Sequence, residues 1–460
     1  MSDSASLSQN EEEIQVNDTE QREAVNDGEI EINANEEDQE EKKSPTKPEN
    51  YRLGGRKPLP TILSLMGGPV LLQICGAAYG IVSTMWVSKA VGTVGVTAIS
   101  LYSSFDTIGR AFGFFLSISA STKVSQLFGL GCAEEAGQVV CDLLRMCVVC
   151  GAIVPAVLLP LVNMCCRWFG ADDEVVDLGF SYLCPILSCS VFTCVYLLCN
   201  GLLQGEGRTF LVGIVSVISL CTSMFVIETL FLFAFKSGIQ GAGWATVLGD
   251  AIPGIAITIC YFRGKFTLKP DWHGLFRKFS PHTFKALRVG ISQLVSNLST
   301  SIPGIIIRKL IGNASPPDEF NSVLAGYNVI FRYAMVTCCV VIAVNMGYIP
   351  SASYSYAAKR YKRFLRLTFH AMWISQLWCL LTNIFTWAIP REISKIFGSD
   401  PEYLKWAEKM LLVGNMLGII NYFRFICQGF LQALQMGGYA MIITFTTQLV
   451  ALLAFAFIFY

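Results

Sequence analysis

Apolar residues in this chain gather into long unbroken runs separated by short polar turns. Eleven such runs stand out, at about 60–86, 92–120, 138–166, 178–204, 210–235, 241–262, 284–311, 322–350, 364–389, 402–432 and 437–460. A helix needs roughly 20 apolar residues to cross the hydrocarbon of a bilayer. The pattern therefore predicts an all-α multi-pass membrane protein with eleven transmembrane helices present. Pro69, Pro155, Pro160, Pro185, Pro253 and Pro303 fall inside the runs. Membrane helices tolerate such breaks where neighbours satisfy the freed carbonyls, so these positions predict kinks.

Composition agrees: 53% of the 460 residues are hydrophobic and the mean hydropathy is +0.50. A net charge of zero conceals a split. Residues 1–50 hold 16 acidic and 4 basic side chains, against 18 and 30 in the remainder. Polar runs such as Glu11-Glu12-Glu13 cannot bury enough apolar surface to offset chain entropy, so residues 1–57 read as a disordered acidic tail. That segment lacks the basic start and apolar core of a signal peptide. The 17 Cys lie mostly within the apolar runs, without metal-ligand spacing, and read as small packing residues.

Charges between the runs give an orientation. Arg52, Arg56 and Lys57, the segment from Arg263 to Lys285, and the segment from Lys359 to Arg366 are basic; Asp172-Asp173-Glu174 and Asp318-Glu319 are acidic. The excess of Lys and Arg on alternate loops predicts a cytoplasmic N-terminus. An odd count of eleven would place the C-terminus on the other side.

The chain also repeats itself. Phe169-Gly170-Ala171-Asp172 recurs as Phe397-Gly398-Ser399-Asp400, Gly201-Leu202-Leu203-Gln204 as Gly429-Phe430-Leu431-Gln432, and Ser125 as Ser353, all at an offset of 228 residues. Six runs separate the copies, an even number, so both enter the membrane the same way round. This predicts two tandem six-helix lobes in parallel repeat about an axis along the membrane normal. The expected organisation is the tail 1–57, a first lobe 58–263, a basic cytoplasmic linker 264–283 and a second lobe 284–460. The counterpart of the sixth run would fall at 469–490, so the second lobe reads as truncated. Parallel lobes around a central cavity suit a transporter that rocks between two states.

Five segments, in order, resemble the MATE (multidrug and toxic compound extrusion) family over about residues 60–460. They are Ser125-Gln126-Leu127-Phe128-Gly129, Phe169-Gly170-Ala171-Asp172, Leu203 to Thr209, Gly238 to Thr246, and Pro350 to Arg360. The resemblance implies twelve helices in two lobes, and export of organic, often cationic, compounds against inward H⁺ or Na⁺. On that basis the chain is a transporter and not an enzyme. Its partners are the bilayer, a small organic substrate and the coupling ion, with no cofactor and no nucleic acid. Plasma membrane and vacuolar or other endomembrane locations both remain open.

Ion coupling calls for a membrane-embedded group that binds in one state and releases in another, and such groups are costly in lipid. The runs offer the carboxylates Asp106, Glu228 and Asp250. Glu228 lies ten residues before Gly238, where the resemblance implies an acid of the first-lobe cation site. Tyr79 and Asn200 match two further positions of that site. Ser83 stands where the family usually has an Asp, and Met224 where it often has Asn, so the implied site has fewer polar groups than usual. A boundary carboxylate paired with Lys236 is the alternative for Glu228. Asp106 and Arg110, at i,i+4, can pair as neighbours on one helix face. Asp250 and, in the second lobe, Tyr327, Asn328, Arg332, Arg424 and Gln428 are further candidates for a substrate cavity. Arginines there would disfavour purely cationic substrates. No metal site is expected beyond transient Na⁺ at Glu228, and there is no P-loop. A lipid or lipid-linked oligosaccharide flippase of related architecture, and a non-transporting truncated paralogue, are the alternative readings.

Overall fold

The computed structural model describes residues 48–168, 173–235, 237–314, 320–396, 401–416 and 418–459. Among these every regular element is helical. The acidic tail up to residue 47, Lys236, and the paired repeats at 169–172 and 397–400 lie outside them. A short α1 (Pro48–Gly54) leads to α2 (Pro58–Val91), α3 (Thr93–Gly129), α4 (Ala133–Trp168), α5 (Asp173–Ser188), α6 (Ser190–Gly205), α7 (Thr209–Thr222) and α8 (Gly238–Phe262). The second half comprises α9 (Pro281–Ala314), α10 (Phe320–Ala357), α11 (Tyr361–Ala388), the short α12 (Pro390–Lys395), α13 (Pro401–Gly414), α14 (Asn421–Ala433), α15 (Gly437–Phe445) and α16 (Ala451–Phe459).

Over the described residues each of the eleven apolar runs is mainly helical. Six are long and apolar enough to cross a bilayer, and two more qualify as bent pairs. The helices α3, α9 and α11 are long, but fall short in apolar character because they carry many hydroxyl, amide and basic side chains. Most of the internal prolines leave their helices continuous. Of the proline-containing runs only that of Pro185 divides, into α5 and α6, with a bend of 56°. Gly243 of α8 packs at that bend: a Cβ there would lie 2.3 Å from the Tyr182 carbonyl oxygen and 3.0 Å from the Pro185 ring. The glycine-rich start of α8 is what lets the two backbones meet.

The repeat is visible in the backbone. The α5–α6 bend at Cys189 is matched by a 46° bend between α13 and α14. Left-handed turn residues also pair at the 228-residue offset. Gly131 (φ 78°) corresponds to Lys359 (φ 60°), and Gly207 (φ 71°) to Gln435 (φ 61°). The first copy fills both turns with glycine, which takes a positive φ without penalty; the second tolerates it with side chains.

The two halves meet at the end of the molecule that carries the basic loops. Gly129 of α3 is seated on α10, where a Cβ would lie 2.5 Å from the Tyr354 carbonyl oxygen and 2.9 Å from Ala357 Cβ. Leu53 is fully buried in a cluster containing Leu127, Phe128, Leu203 and Tyr354, residues drawn from both halves. Arg363 donates to the Arg56 carbonyl at 2.6 Å and to Thr61 Oγ1 at 3.2 Å. Cys147, Cys150, Cys194 and Cys199 pack in the same cluster as free thiols.

The connection between the halves is docked, not loose. Asp142 of α4 is fully buried and accepts from the Ser280 amide at 2.8 Å, Thr283 Oγ1 at 2.7 Å and Gln138 Nε2 at 2.9 Å. Arg145 joins it and also donates to the Gly274 and Arg277 carbonyls. Glu206, buried in the α6–α7 turn, accepts from the Leu268 amide at 3.1 Å and pairs with Arg208 at 3.0 Å.

Candidate functional site

In the first half, polar side chains converge between α2, α3, α5, α6, α7 and α8. Glu228 lies just beyond α7, between two π-helical turns at Ser223–Ile227 and Leu230–Ala234. Each π-turn adds a residue to the turn and rotates the helical segment after it, and such turns recur at functional sites. Here they place the Glu228 carboxylate inward, fully buried. Ser83 of α2 donates to Glu228 Oε1 at 2.6 Å, while Oε2 is buried without a partner. Tyr79, one turn before Ser83, bonds Thr246 of α8 at 3.2 Å. The residue that stands in place of a second carboxylate thus turns its hydroxyl toward the first.

Beside these groups lies a charged triad. Arg110 reaches Asp106 Oδ2 at 3.3 Å on its own helix and Asp250 Oδ2 at 3.3 Å on α8. Thr193 of α6 donates to Asp250 at 2.9 Å. Tyr182 lies within electrostatic range of Asp106, Arg110, Tyr79 and Glu228. With Glu228 the site holds three carboxylates to one described guanidinium. Asn200 is buried on α6, one turn beyond Tyr196, which bonds Ser216 of α7 at 3.0 Å. Tyr79, Ser83 and Glu228 therefore share a neighbourhood, and Asn200 occupies an adjoining buried position.

The second half has a polar interior of another kind. Gln428 of α14 donates to Gln293 at 3.1 Å and accepts from Ser296 at 3.2 Å. Gln432 donates to Ser292 at 3.0 Å, and Thr300 bonds Gln448 at 2.6 Å. Arg424, one turn before Gln428, is half-buried with its guanidinium 4.2 Å from the Phe425 ring centre. Tyr327 is buried; the side chains of Asn328 and Arg332 lie outside the described residues. Among the described residues no three His, Cys, Asp or Glu side chains cluster as metal ligands.

A family model, MatE, matches residues 69–248 and 294–458, most of the chain. The chain belongs to the MATE family. It is 20% identical over 383 residues to the multidrug export protein MepA of Staphylococcus haemolyticus, covering 82% of this chain and 80% of that protein. It is 25% identical to multidrug and toxin extrusion protein 1 of Xenopus tropicalis over 228 residues, 49% of this chain and 38% of that one. Among solved structures it resembles a MOP superfamily transporter from Pyrococcus furiosus described as having a binding pocket of reverse polarity. It equally resembles an outward-facing multidrug resistance MATE transporter. Each gives a TM-score of 0.82 at 19% identity, over 91% of both chains. These structural likenesses establish the fold, and the family's members are transporters.

Several groups in this MATE chain have little or no signature in the sequence. Thr246 sits four residues before Asp250, on the same helical face, and that spacing was available as a signal. Thr193 and Tyr182 gave none, because their role depends on the α5–α6 bend. The glutamine ladder was legible only through Gln428 and Gln432, four residues apart on one face; Gln293 and Gln448 come from helices far away in sequence.

Proposed function

We propose that this MATE protein is a secondary active transporter that exports small organic compounds in exchange for H⁺ or Na⁺ by alternating access. The observation that carries the reading is Glu228: a fully buried carboxylate among membrane helices, with one oxygen held by Ser83 and the other unpartnered. Buried carboxylates in spans mark ion pathways by default. An unpartnered oxygen has room to take a proton or to ligand Na⁺, and the Ser83 hydroxyl stabilises the charge that remains after release.

The basic end is assigned to the cytoplasm, since Lys and Arg flank the spans there, and the N-terminus goes with it. The named contacts between the halves gather at that end: Gly129 on Tyr354, Gly347 on Leu65, and Gly290 against Ser119. The conformer is then closed toward the cytoplasm, as in the outward-facing relative. Residues 58–263 and 284–460 are taken as the rocking lobes, with 264–283 fixed to the first.

The test is gradient-driven transport by the purified full chain in proteoliposomes. Glu228→Gln is expected to abolish transport driven by an imposed pH or Na⁺ gradient while leaving the protein monodisperse. Undiminished driven transport by that variant would sink the coupling role.

A further inference from the structure

Both halves carry charge inside the membrane, but not of the same sign. The polar site of the first gathers Asp106, Glu228 and Asp250 against Arg110. In the second, no Asp or Glu occurs anywhere from residue 320 to 391 or from 409 to 460. Of the acids of that half, Asp318, Glu319 and Asp400 lie outside the described residues, while Glu392 belongs to α12 and Glu402 and Glu408 to α13, on the far side of the span break from Arg424. Arg424 nonetheless lies well inside a span. Eleven residues separate it from the turn residue Gln435, about 16 Å along a helix and so about half the thickness of the hydrocarbon.

A guanidinium does not deprotonate in proteins, so its charge must be compensated where it lies. Arg424 has no carboxylate within salt-bridge distance among the described residues; the acids of its own broken span, Glu402 and Glu408, lie beyond the break in α13. Its surroundings are neutral: the Phe425 ring at 4.2 Å, and Asn421, whose amide donates to Cys338 Sγ at 3.4 Å. One turn toward the basic end, Gln428 bonds Ser296. Thr300 lies one turn from Ser296 in the opposite direction, as Arg424 does from Gln428, so Arg424 and the Thr300–Gln448 pair stand at the same level. These amides and hydroxyls can present N–H or O–H groups. Arg424 also falls in the first turn of α14, just after the break in its span. A broken span places the positive end of a helix dipole at mid-membrane, the arrangement by which transporters meet anionic groups.

We propose that Arg424, with the α14 N-terminus and the amide ladder beside it, binds the anionic group of the transported compound: a carboxylate, sulfonate or phosphate on an amphiphilic organic molecule. The inference rests on the exporter reading and names its substrate class. The first-half carboxylates then serve the coupling cation, and the second-half arginine serves the cargo. An anionic lipid headgroup presents the same chemistry as a soluble anion, and the test separates the two.

The experiment uses the full chain purified in detergent, with carboxyfluorescein as the anionic probe and rhodamine 6G as the cationic one, read by fluorescence polarisation. Wild type should bind carboxyfluorescein. Arg424→Gln and Arg424→Met should weaken binding at least tenfold, Arg424→Lys should retain most of it, and rhodamine 6G binding should not fall in any variant. Replacing a charge inside the membrane with a neutral side chain removes a desolvation cost, so the neutral variants are expected to fold; size-exclusion profiles check this. Displacement of carboxyfluorescein by phosphatidylglycerol but not by benzoate assigns the site to a headgroup, and the converse to a soluble anion; either supports the anion site. Equal carboxyfluorescein affinity in wild type and Arg424→Gln, or no binding to wild type, overturns it. Transport of the same probes in proteoliposomes tests the exporter reading separately. Gradient-driven export of rhodamine 6G alone would leave that reading standing and overturn the anion site; Arg424-dependent binding without driven movement of either probe would do the reverse.

Discussion

Ser83 donates a 2.6 Å hydrogen bond to Glu228, joining the first span of the bundle to the fifth through a single hydroxyl and a single carboxylate oxygen. A donor on a carboxylate stabilises its empty, ionised form relative to the cation-loaded one. A hydrogen bond to a charged group contributes about 1.5–3 kcal/mol. Ser83→Ala should therefore tighten cation binding roughly tenfold or more and slow release. The expected signature is a fall in the ion concentration for half-maximal transport, together with a lower maximal rate. An unchanged ion dependence in proteoliposomes would show that the hydroxyl has no part in coupling.

Arg110 is the only described cation beside two carboxylates, the half-buried Asp106 and the buried Asp250. Removing one member of a buried ion network costs about 3–5 kcal/mol, because the partners keep their desolvation penalty. The side chains here keep some exposure, so the lower end applies. Arg110→Met should lower the unfolding temperature in detergent by several degrees. Adding Asp106→Asn and Asp250→Asn should restore much of the loss, since the orphaned charges go with the guanidinium. Failure of the triple variant to recover would mean that Arg110 acts through packing.

The pattern of apolar runs was enough to predict every long helix, since run length and polarity are properties of the segment itself. The repeat was legible in part for the same reason. Three short matches predicted a 228-residue offset, and the backbone shows it again at Gly131 and Lys359 and at Gly207 and Gln435. Those turn positions could not be found by residue identity, because only the first copy uses glycine. The membrane carboxylates were legible because such residues are rare and costly in spans. Of their partners only Arg110 was, through its i,i+4 spacing from Asp106. Ser83 stands out as a departure from the family pattern, yet nothing in the sequence said that it bonds Glu228. That bond depends on π-turns around residue 228, which carry no compositional signature. Asp142 and Glu206 carry no signal either, because an acid near the end of a helix looks the same in sequence whether it staples a loop or faces solvent.

Asp142 holds the segment between the halves with four donors and no solvent exposure. Asp142→Ala leaves the Ser280 amide and Thr283 without their acceptor and Arg145 without its counter-charge, at a cost of about 3 kcal/mol or more. Much of that cost should be met by local release of the segment instead of global unfolding. Limited trypsin digestion is the measurement. Cleavage at Lys265, Lys269, Arg277 or Lys278 should speed up at least tenfold, while the helices stay protected. Equal cleavage rates in the variant and wild type would show that the hub does not restrain the linker.

Gly129 and Ala357 approach closely enough across the seam that a Cβ on the glycine would lie 2.9 Å from that of the alanine. Disulfides need Cβ atoms about 3.8 Å apart, so a shift of under an ångström suits a cross-link between Gly129→Cys and Ala357→Cys. On the alternating-access reading this seam must part for the cytoplasmic side to open, and Leu53 must leave the cluster in which it is buried. Oxidising the double variant should therefore stop transport, and a reductant should restore it. Either single variant should be insensitive to both treatments, although Gly129→Cys also meets the Tyr354 carbonyl and is expected to loosen the closed state. The effect is kinetic, because a covalent tie removes the open state while leaving ion binding at Glu228 intact. Ion binding read by thermal stabilisation should consequently persist in the oxidised protein. If the cross-linked protein still transports at the wild-type rate, the two halves do not separate at this seam, and rocking about the docked 264–283 segment is not how the protein works.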